Sequence, residues 1–247
     1  IYPSILTFAE RIWQGGGRAG WVSNIVPEND PDYADFKEFQ SRLLKHKDLY
    51  FQQKPFPYIN QLGLKWELIG PYANEGNVHK SFEIEKNPFD PTVKVEQIIA
   101  GGTVILKHWF GDIIQGAINK PQANTTYYAR TEIWSENEGL KPFWVNFNNH
   151  SRSYLTDSPE IDTWDNKGSQ AFVNGNRINP PTWKQPGQKG ESEIPLKDEG
   201  YSYREPTMIF LKKGWNEGLL KLPVAPFRGR TWDNPAKWMF TFIPLDN

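Results

Sequence analysis

The stretch Trp238-Met239-Phe240-Thr241-Phe242-Ile243 alternates large rings with other side chains at a period of two. In a β-strand successive side chains point to opposite faces, so Trp238, Phe240 and Phe242 share one face and Met239, Thr241 and Ile243 share the other. Three rings on one face need a facing layer with room to take them, and the gap between two stacked sheets provides it. The same period runs back through much of the 247-residue chain, over residues 65–69, 93–99, 103–109, 127–134, 143–147 and 170–173. Turn-forming residues separate these runs. Asn174-Gly175 predicts a hairpin turn, because both residues tolerate positive φ. Residues 207–211 and 218–222 flank Lys213-Gly214-Trp215-Asn216 as an expected second hairpin. Eight or more antiparallel strands without alternating helices predict a mainly β fold, a jelly-roll-like antiparallel β-sandwich.

Upstream of about residue 62 the period changes. Ile5, Phe8, Ala9, Ile12 and Trp13 fall at i, i+3, i+4, i+7 and i+8, which is one apolar stripe on a helix. Pro3 suits its first turn and Gly15-Gly16-Gly17 stops it. A second helix is expected from Asp30, with Pro31 at its first position and Tyr33, Phe36, Leu43, Leu44, Tyr50 and Phe51 as its apolar side. The expected organisation is therefore a two-helix segment at 1–61 and a β-sandwich at 62–247. The first stripe is large for so short a segment, so it either packs on the sandwich or has its partner upstream.

Composition narrows the function. Twenty-eight Lys and Arg against 29 Asp and Glu leave a net charge of −1, which supplies no field to hold nucleic acid. With no cysteine there is no disulfide, thiol catalyst or zinc–thiolate site. No apolar run approaches the roughly 20 residues of a membrane span. Ile1-Tyr2-Pro3 does not open a signal peptide, so the chain is expected to be a soluble fragment or processed part of something longer. Nine of the 11 Trp lie after residue 60, among the strands. Trp66, Trp144, Trp215 and Trp238 are expected in the core or packed on turns.

A chemical motif carries function only in its required structural context. Gly15 to Gly20 formally matches G-x-G-x-x-G, but a dinucleotide loop needs a strand before it and a helix after it. Here a helix precedes it, so it reads as a helix stop. His46, His79, His108 and His150 share no metal-ligand spacing, and no G-x-S-x-G elbow is present. Asp157, Glu160, Asp162 and Asp165 form an acidic stretch that could offer oxygen ligands to Ca²⁺, although the spacing is not that of an EF-hand loop. Asp198-Glu199 is the sole Asp-Glu dipeptide and lies in a polar connection. The prediction is for no cofactor, with Ca²⁺ the single metal worth testing.

Two groups of residues carry a family resemblance. Tyr2-Pro3-Ser4-Ile5-Leu6-Thr7-Phe8-Ala9-Glu10-Arg11-Ile12-Trp13 resembles the final barrel helix of family 20 glycoside hydrolases, the β-N-acetylhexosaminidases, with Ser4 where that run usually has Arg. Trp66-Glu67-Leu68-Ile69-Gly70-Pro71-Tyr72 is similar to the opening strand of the C-terminal sandwich in Bacteroidetes-type members. Trp164-Asp165, Phe172-Val173-Asn174-Gly175, Ile178-Asn179-Pro180-Pro181-Thr182-Trp183, Gly214-Trp215-Asn216 and Lys237 to Phe242 resemble later parts of it. The resemblance implies an accessory domain attached to an upstream catalytic barrel in an exported bacterial enzyme, periplasmic or extracellular. The family's catalytic Asp-Glu follows His-x-Gly-Gly in the barrel, a context that Asp198-Glu199 lacks. No catalytic residue is therefore assigned to this chain.

The leading expectation is a non-catalytic accessory piece that supports the barrel and contacts glycan containing N-acetylhexosamine. A second reading makes the sandwich a carbohydrate-binding module, with Trp164, Trp183, Tyr201 and Tyr203 as stacking residues, because they fall in Pro- and Gly-rich connections where binding groups concentrate. Against that, the favoured alternative makes Trp183 a ring packed over Pro180-Pro181 and Trp164 a plug at one end of the sandwich, since large rings most often serve cores. A third reading is a jelly-roll polysaccharide lyase using Lys107, His108, Tyr127, Tyr128 and Arg130, weakened because alternation sends Lys107 and His108 to opposite faces.

Overall fold

Burying the period-two rings requires two sheets, and the described residues build them from ten strands. The computed structural model describes residues 3–15, 26–108, 115–147, 158–189, 204–226 and 237–245. Helices α1 (Ser4–Trp13) and α2 (Pro31–Tyr50) come first. The strands are β1 (Lys65–Ala73), β2 (Gln97–Ala100), β3 (Thr103–Lys107), β4 (Thr125–Ser135), β5 (Gly139–Asn146), β6 (Gln170–Val173), β7 (Asn176–Arg177), β8 (Thr207–Leu211), β9 (Gly214–Val224) and β10 (Trp238–Pro244). One sheet has the order β2-β1-β4-β9-β6-β7 and the other β3-β10-β5-β8. All pairings are antiparallel. Strands β3 to β10 interleave as 3-10-5-8 against 4-9-6-7, the jelly-roll arrangement. Strands β1 and β2 extend it beside β4.

The inner faces meet in one aromatic core. Trp238, Phe240 and Phe242 point inward from β10, as their alternation predicts, and are buried. Trp66 of β1 meets them edge-on, with ring centroids 5.0 Å from Phe240 and 5.7 Å from Phe242. Tyr127 crosses from β4 to Trp238 at 5.6 Å. Such edge-to-face contacts place the positive ring edge on the negative face and contribute about 0.5–1.5 kcal/mol each beyond burial. The Trp66 indole N–H would be costly to bury alone, and it donates to the Gly101 carbonyl at 3.0 Å.

The Asn174-Gly175 turn forms as expected, with φ of 49° and 76°, and joins β6 to β7. The second expected hairpin does not form. Strand β8 pairs with β5 in one sheet, whereas β9 pairs with β4 and β6 in the other. Residues 212–213 thus cross between sheets, and the buried Asn216 amide at the start of β9 holds the crossing. Its Nδ2 donates to the carbonyls of Lys212 at 2.9 Å and Gly214 at 3.0 Å. Its Oδ1 accepts from Lys212 N–H at 2.9 Å and Asn174 Nδ2 at 2.8 Å. Turn residues report that a chain bends; they do not report which strands it then joins.

Helix α2 begins where expected, with the Asp30 carboxylate accepting from Asp32 N–H at 2.9 Å. Its packing differs from the expected stripe. Only Gln40 and Leu43 are buried, while Tyr50 is exposed. Gln40 takes the anchoring role instead: its Nε2 donates to Asn60 Oδ1 at 2.8 Å, and its Oε1 accepts from Tyr58 OH at 2.9 Å and Gln61 N–H at 2.7 Å. No helix among the described residues is long and apolar enough to cross a membrane.

Candidate functional site

The two sequence-predicted stacking tryptophans that the structure describes are turned inward, which corrects that expectation. Trp164 is 2% exposed, sits in the main core against Phe147 at 5.8 Å, and donates its Nε1–H to the Ile178 carbonyl at 3.3 Å. Trp183 is 7% exposed. Its Nε1–H reaches the Thr163 carbonyl at 2.8 Å, and the Arg204 guanidinium covers the ring at 5.2 Å. A ring face must be open to lie against a sugar, and neither is. Pro- and Gly-rich context marked both residues as connection residues correctly, but these connections fold back over the end of the sandwich. Tyr201 and Tyr203, together with Asp198-Glu199, lie outside the described residues.

Within the acidic stretch, Asp165 is engaged internally. Asp165 accepts from the N–H groups of Lys167 at 3.0 Å and Ser169 at 3.1 Å, and from Ser169 Oγ at 2.7 Å. Asp157 lies outside the described residues. No group of three or more His, Cys, Asp or Glu able to hold a metal ion occurs among the described residues. The five residues considered for a lyase do not converge. Lys107 belongs to β3 in the four-stranded sheet, whereas Tyr127, Tyr128 and Arg130 belong to β4 in the other. On β4 itself, Tyr127 faces the main core and Tyr128 a separate cluster on the opposite side.

That opposite side is the outer face of the six-stranded sheet, and it carries the polar organisation of the molecule. Residues 82–89, including a single 3-10 turn at Glu83–Glu85, lie over part of it. Ile84 packs with Ile69, Tyr128 and Leu219 in a second small core. Beneath this cover Lys221, 1% exposed, places its ammonium 2.7 Å from Glu85 Oε1, and Tyr128 OH donates to the same oxygen. Burial by itself raises the Glu85 carboxyl. The hydrogen bonds from Lys221 and Tyr128 and the Lys221 charge outweigh it and hold the carboxyl below the ordinary glutamate range. Burial pushes the Tyr128 hydroxyl up, and its bond to Glu85 pushes it further. Alongside, Arg130 Nε donates to Glu67 Oε2 at 2.5 Å and Nη1 to the Pro88 carbonyl at 2.6 Å, with Phe89 over the guanidinium at 5.2 Å. Every charge under the cover is answered, so this cluster fastens the covering segment to the sheet.

Past the cover the same face is open. The central strands β4 and β9 pair without a shift from Thr125↔Val224 to Ser135↔Gly214, which sets Glu132 opposite Glu217 and Trp134 opposite Trp215. The indoles are 53% and 58% exposed, with centroids 5.3 Å apart at 69°. Trp215 is therefore a surface residue, against the expectation of a core or turn-packing role. Its neighbour Asn216 points inward instead, and the alternation turns Trp215 out. Sequence reasoning missed this pair, although a signal was present: Glu132-x-Trp134 and Trp215-x-Glu217 run in reverse order, which sets like residues opposite each other when the strands pair antiparallel.

A second exposed surface belongs to α1. None of its residues is buried, and Ile5, Phe8, Ile12 and Trp13 are exposed. Its contact with α2 includes an ion pair between Glu10 and Arg42, which also reaches Glu38. The stripe does not pack on the sandwich. Comparison with known families and with curated proteins finds no match for this chain.

Proposed function

We propose that this chain is the non-catalytic C-terminal part of a glycoside hydrolase resembling the β-N-acetylhexosaminidases, an exported bacterial enzyme whose catalytic barrel lies upstream in the same polypeptide. In this reading α1 completes the barrel, α2 connects, and the sandwich supports the assembly. The observation that carries it is the bare apolar stripe of α1. Four large apolar side chains stand in water on a helix with no buried residue. Each is worth roughly 1.5–3 kcal/mol when fully buried. An amphipathic helix gains its stability chiefly by packing that side, so α1 calls for a partner surface. The sequence of α1 resembles a helix whose partner is a barrel. The jelly roll resembles the accessory domain that follows it.

The test has two arms. The purified chain should not turn over chromogenic N-acetylglucosaminides, and it should associate with the separately produced barrel in size-exclusion chromatography. Phe8→Lys should abolish that association while leaving the circular dichroism spectrum unchanged. Turnover that survives purification, or association indifferent to Phe8→Lys, would overturn the assignment.

A further inference from the structure

We propose that the open platform of Trp134, Trp215, Glu132 and Glu217 binds a saccharide that carries free amino groups. This goes beyond the supporting role proposed above for the sandwich and uses a surface separate from the α1 stripe.

The argument begins with what the sheet has placed together. Glu132 and Glu217 are directly opposite on neighbouring strands, an arrangement in which like charges repel. Among the described residues neither carboxylate has an ion-pair partner. Other acidic groups facing this side of the sheet are answered: Glu67 by Arg130 and Glu85 by Lys221. One step along the same face stand the two indoles, whose negative ring faces attract cations as well as apolar surface. A ligand that fits must present an apolar face to the rings and a positive group to the carboxylates. A pyranose ring bearing an ammonium does both. Its C–H face lies on an indole, its amino group lies between the carboxylates, and its hydroxyls donate to their remaining lone pairs.

A basic peptide fits less well. On β9 the main chain of Glu217 is already engaged, its N–H donating to Asn174 Oδ1 at 3.0 Å and its carbonyl accepting from Asn174 N–H at 2.8 Å. No strand can be added to β9 at that residue, and recognition falls to ring faces and carboxylates. Of the cations nearest in sequence, Arg130 is held by Glu67 and Lys221 by Glu85, and Lys213 forms no ion pair with either glutamate of the platform.

The experiment is isothermal titration calorimetry of the whole chain with three probes: a β-1,4-linked glucosamine oligomer, its fully N-acetylated counterpart, and oligolysine. The glucosamine oligomer should bind saturably, and its affinity should fall as salt is raised. Trp215→Ala and the charge-removing pair Glu132→Gln with Glu217→Gln should each weaken it about tenfold or more. All these residues are on the surface, and circular dichroism checks that the variants remain folded. The N-acetylated oligomer should bind at least about tenfold more weakly than the free amine. Equal or tighter binding of the acetylated oligomer would overturn the ammonium assignment. Oligolysine binding that matches the glucosamine oligomer and is lost in the same variants would make the surface a basic-peptide site. Absence of saturation, or binding unchanged in the variants, would remove the platform altogether. None of these variants touches α1, so failure here is distinguishable from failure of barrel association.

Discussion

Replacing Glu85 by Gln tests whether the covering segment is fastened by charge. The substitution keeps the shape of the side chain but removes the counter-charge from Lys221, whose ammonium is 2.7 Å away and whose side chain is almost wholly inside. Breaking a fully buried pair in this way costs about 3–5 kcal/mol, because the remaining charge is left without compensation. The Glu85 side chain is 18% exposed, so water reaches one end of the pair and the low end, about 3 kcal/mol, applies. For a domain of this size each kcal/mol moves the midpoint by about 2–4 °C, so thermal unfolding followed by circular dichroism should show a drop of about 6–12 °C. The double variant Glu85→Gln with Lys221→Met should recover most of it, since an apolar stem of similar length then fills the site without a charge. The pH dependence has a definite sign. The Glu85 carboxyl is held below its unfolded value, so its contribution is fully present above the ordinary glutamate range and is lost as pH falls through the depressed folded value. Glu85→Gln should therefore flatten part of the acid limb of the stability profile and leave its shape near neutrality alone. A single variant within about 1 °C of the parent, or a double variant no better than the single, would refute the reasoning.

Two further outcomes follow from the fold. Asn216→Ala leaves the Lys212 N–H and the Lys212 and Gly214 carbonyls without the amide that satisfies them, so denaturant unfolding should show a loss of roughly 2–4 kcal/mol; an unchanged midpoint would mean that the crossing needs no such lock. Trp183→Ala should lower stability by about 3 kcal/mol through loss of a buried ring while leaving saccharide titrations unaltered, and a stable variant with weakened binding would return Trp183 to the list of contact residues.

Fold class was legible in the residues alone, because period-two alternation has few solutions. Trp238, Phe240 and Phe242 can share a face only on a strand, and three rings on a face demand an opposing sheet. Asn174-Gly175 likewise carried its turn in its own backbone preferences, and Asp30-Pro31 carried the start of α2. What the sequence left undetermined were matters of partnership. Residues 207–222 read as a hairpin because the local signals of a reversal and of a sheet crossing are the same; long-range pairing to β5 and to β4 separates them. Trp164 and Trp183 stood in loop-like context, yet whether a loop ring faces water depends on whether its loop folds over the sandwich. The converse holds for Trp215, in a strand but open to solvent. Glu132 and Glu217 are 85 positions apart in number, and only the β4–β9 register brings them opposite each other beside two indoles. Alternation is a property of each strand alone, so it can be read residue by residue. Register and burial depend on the other strands, and tertiary structure alone decides them.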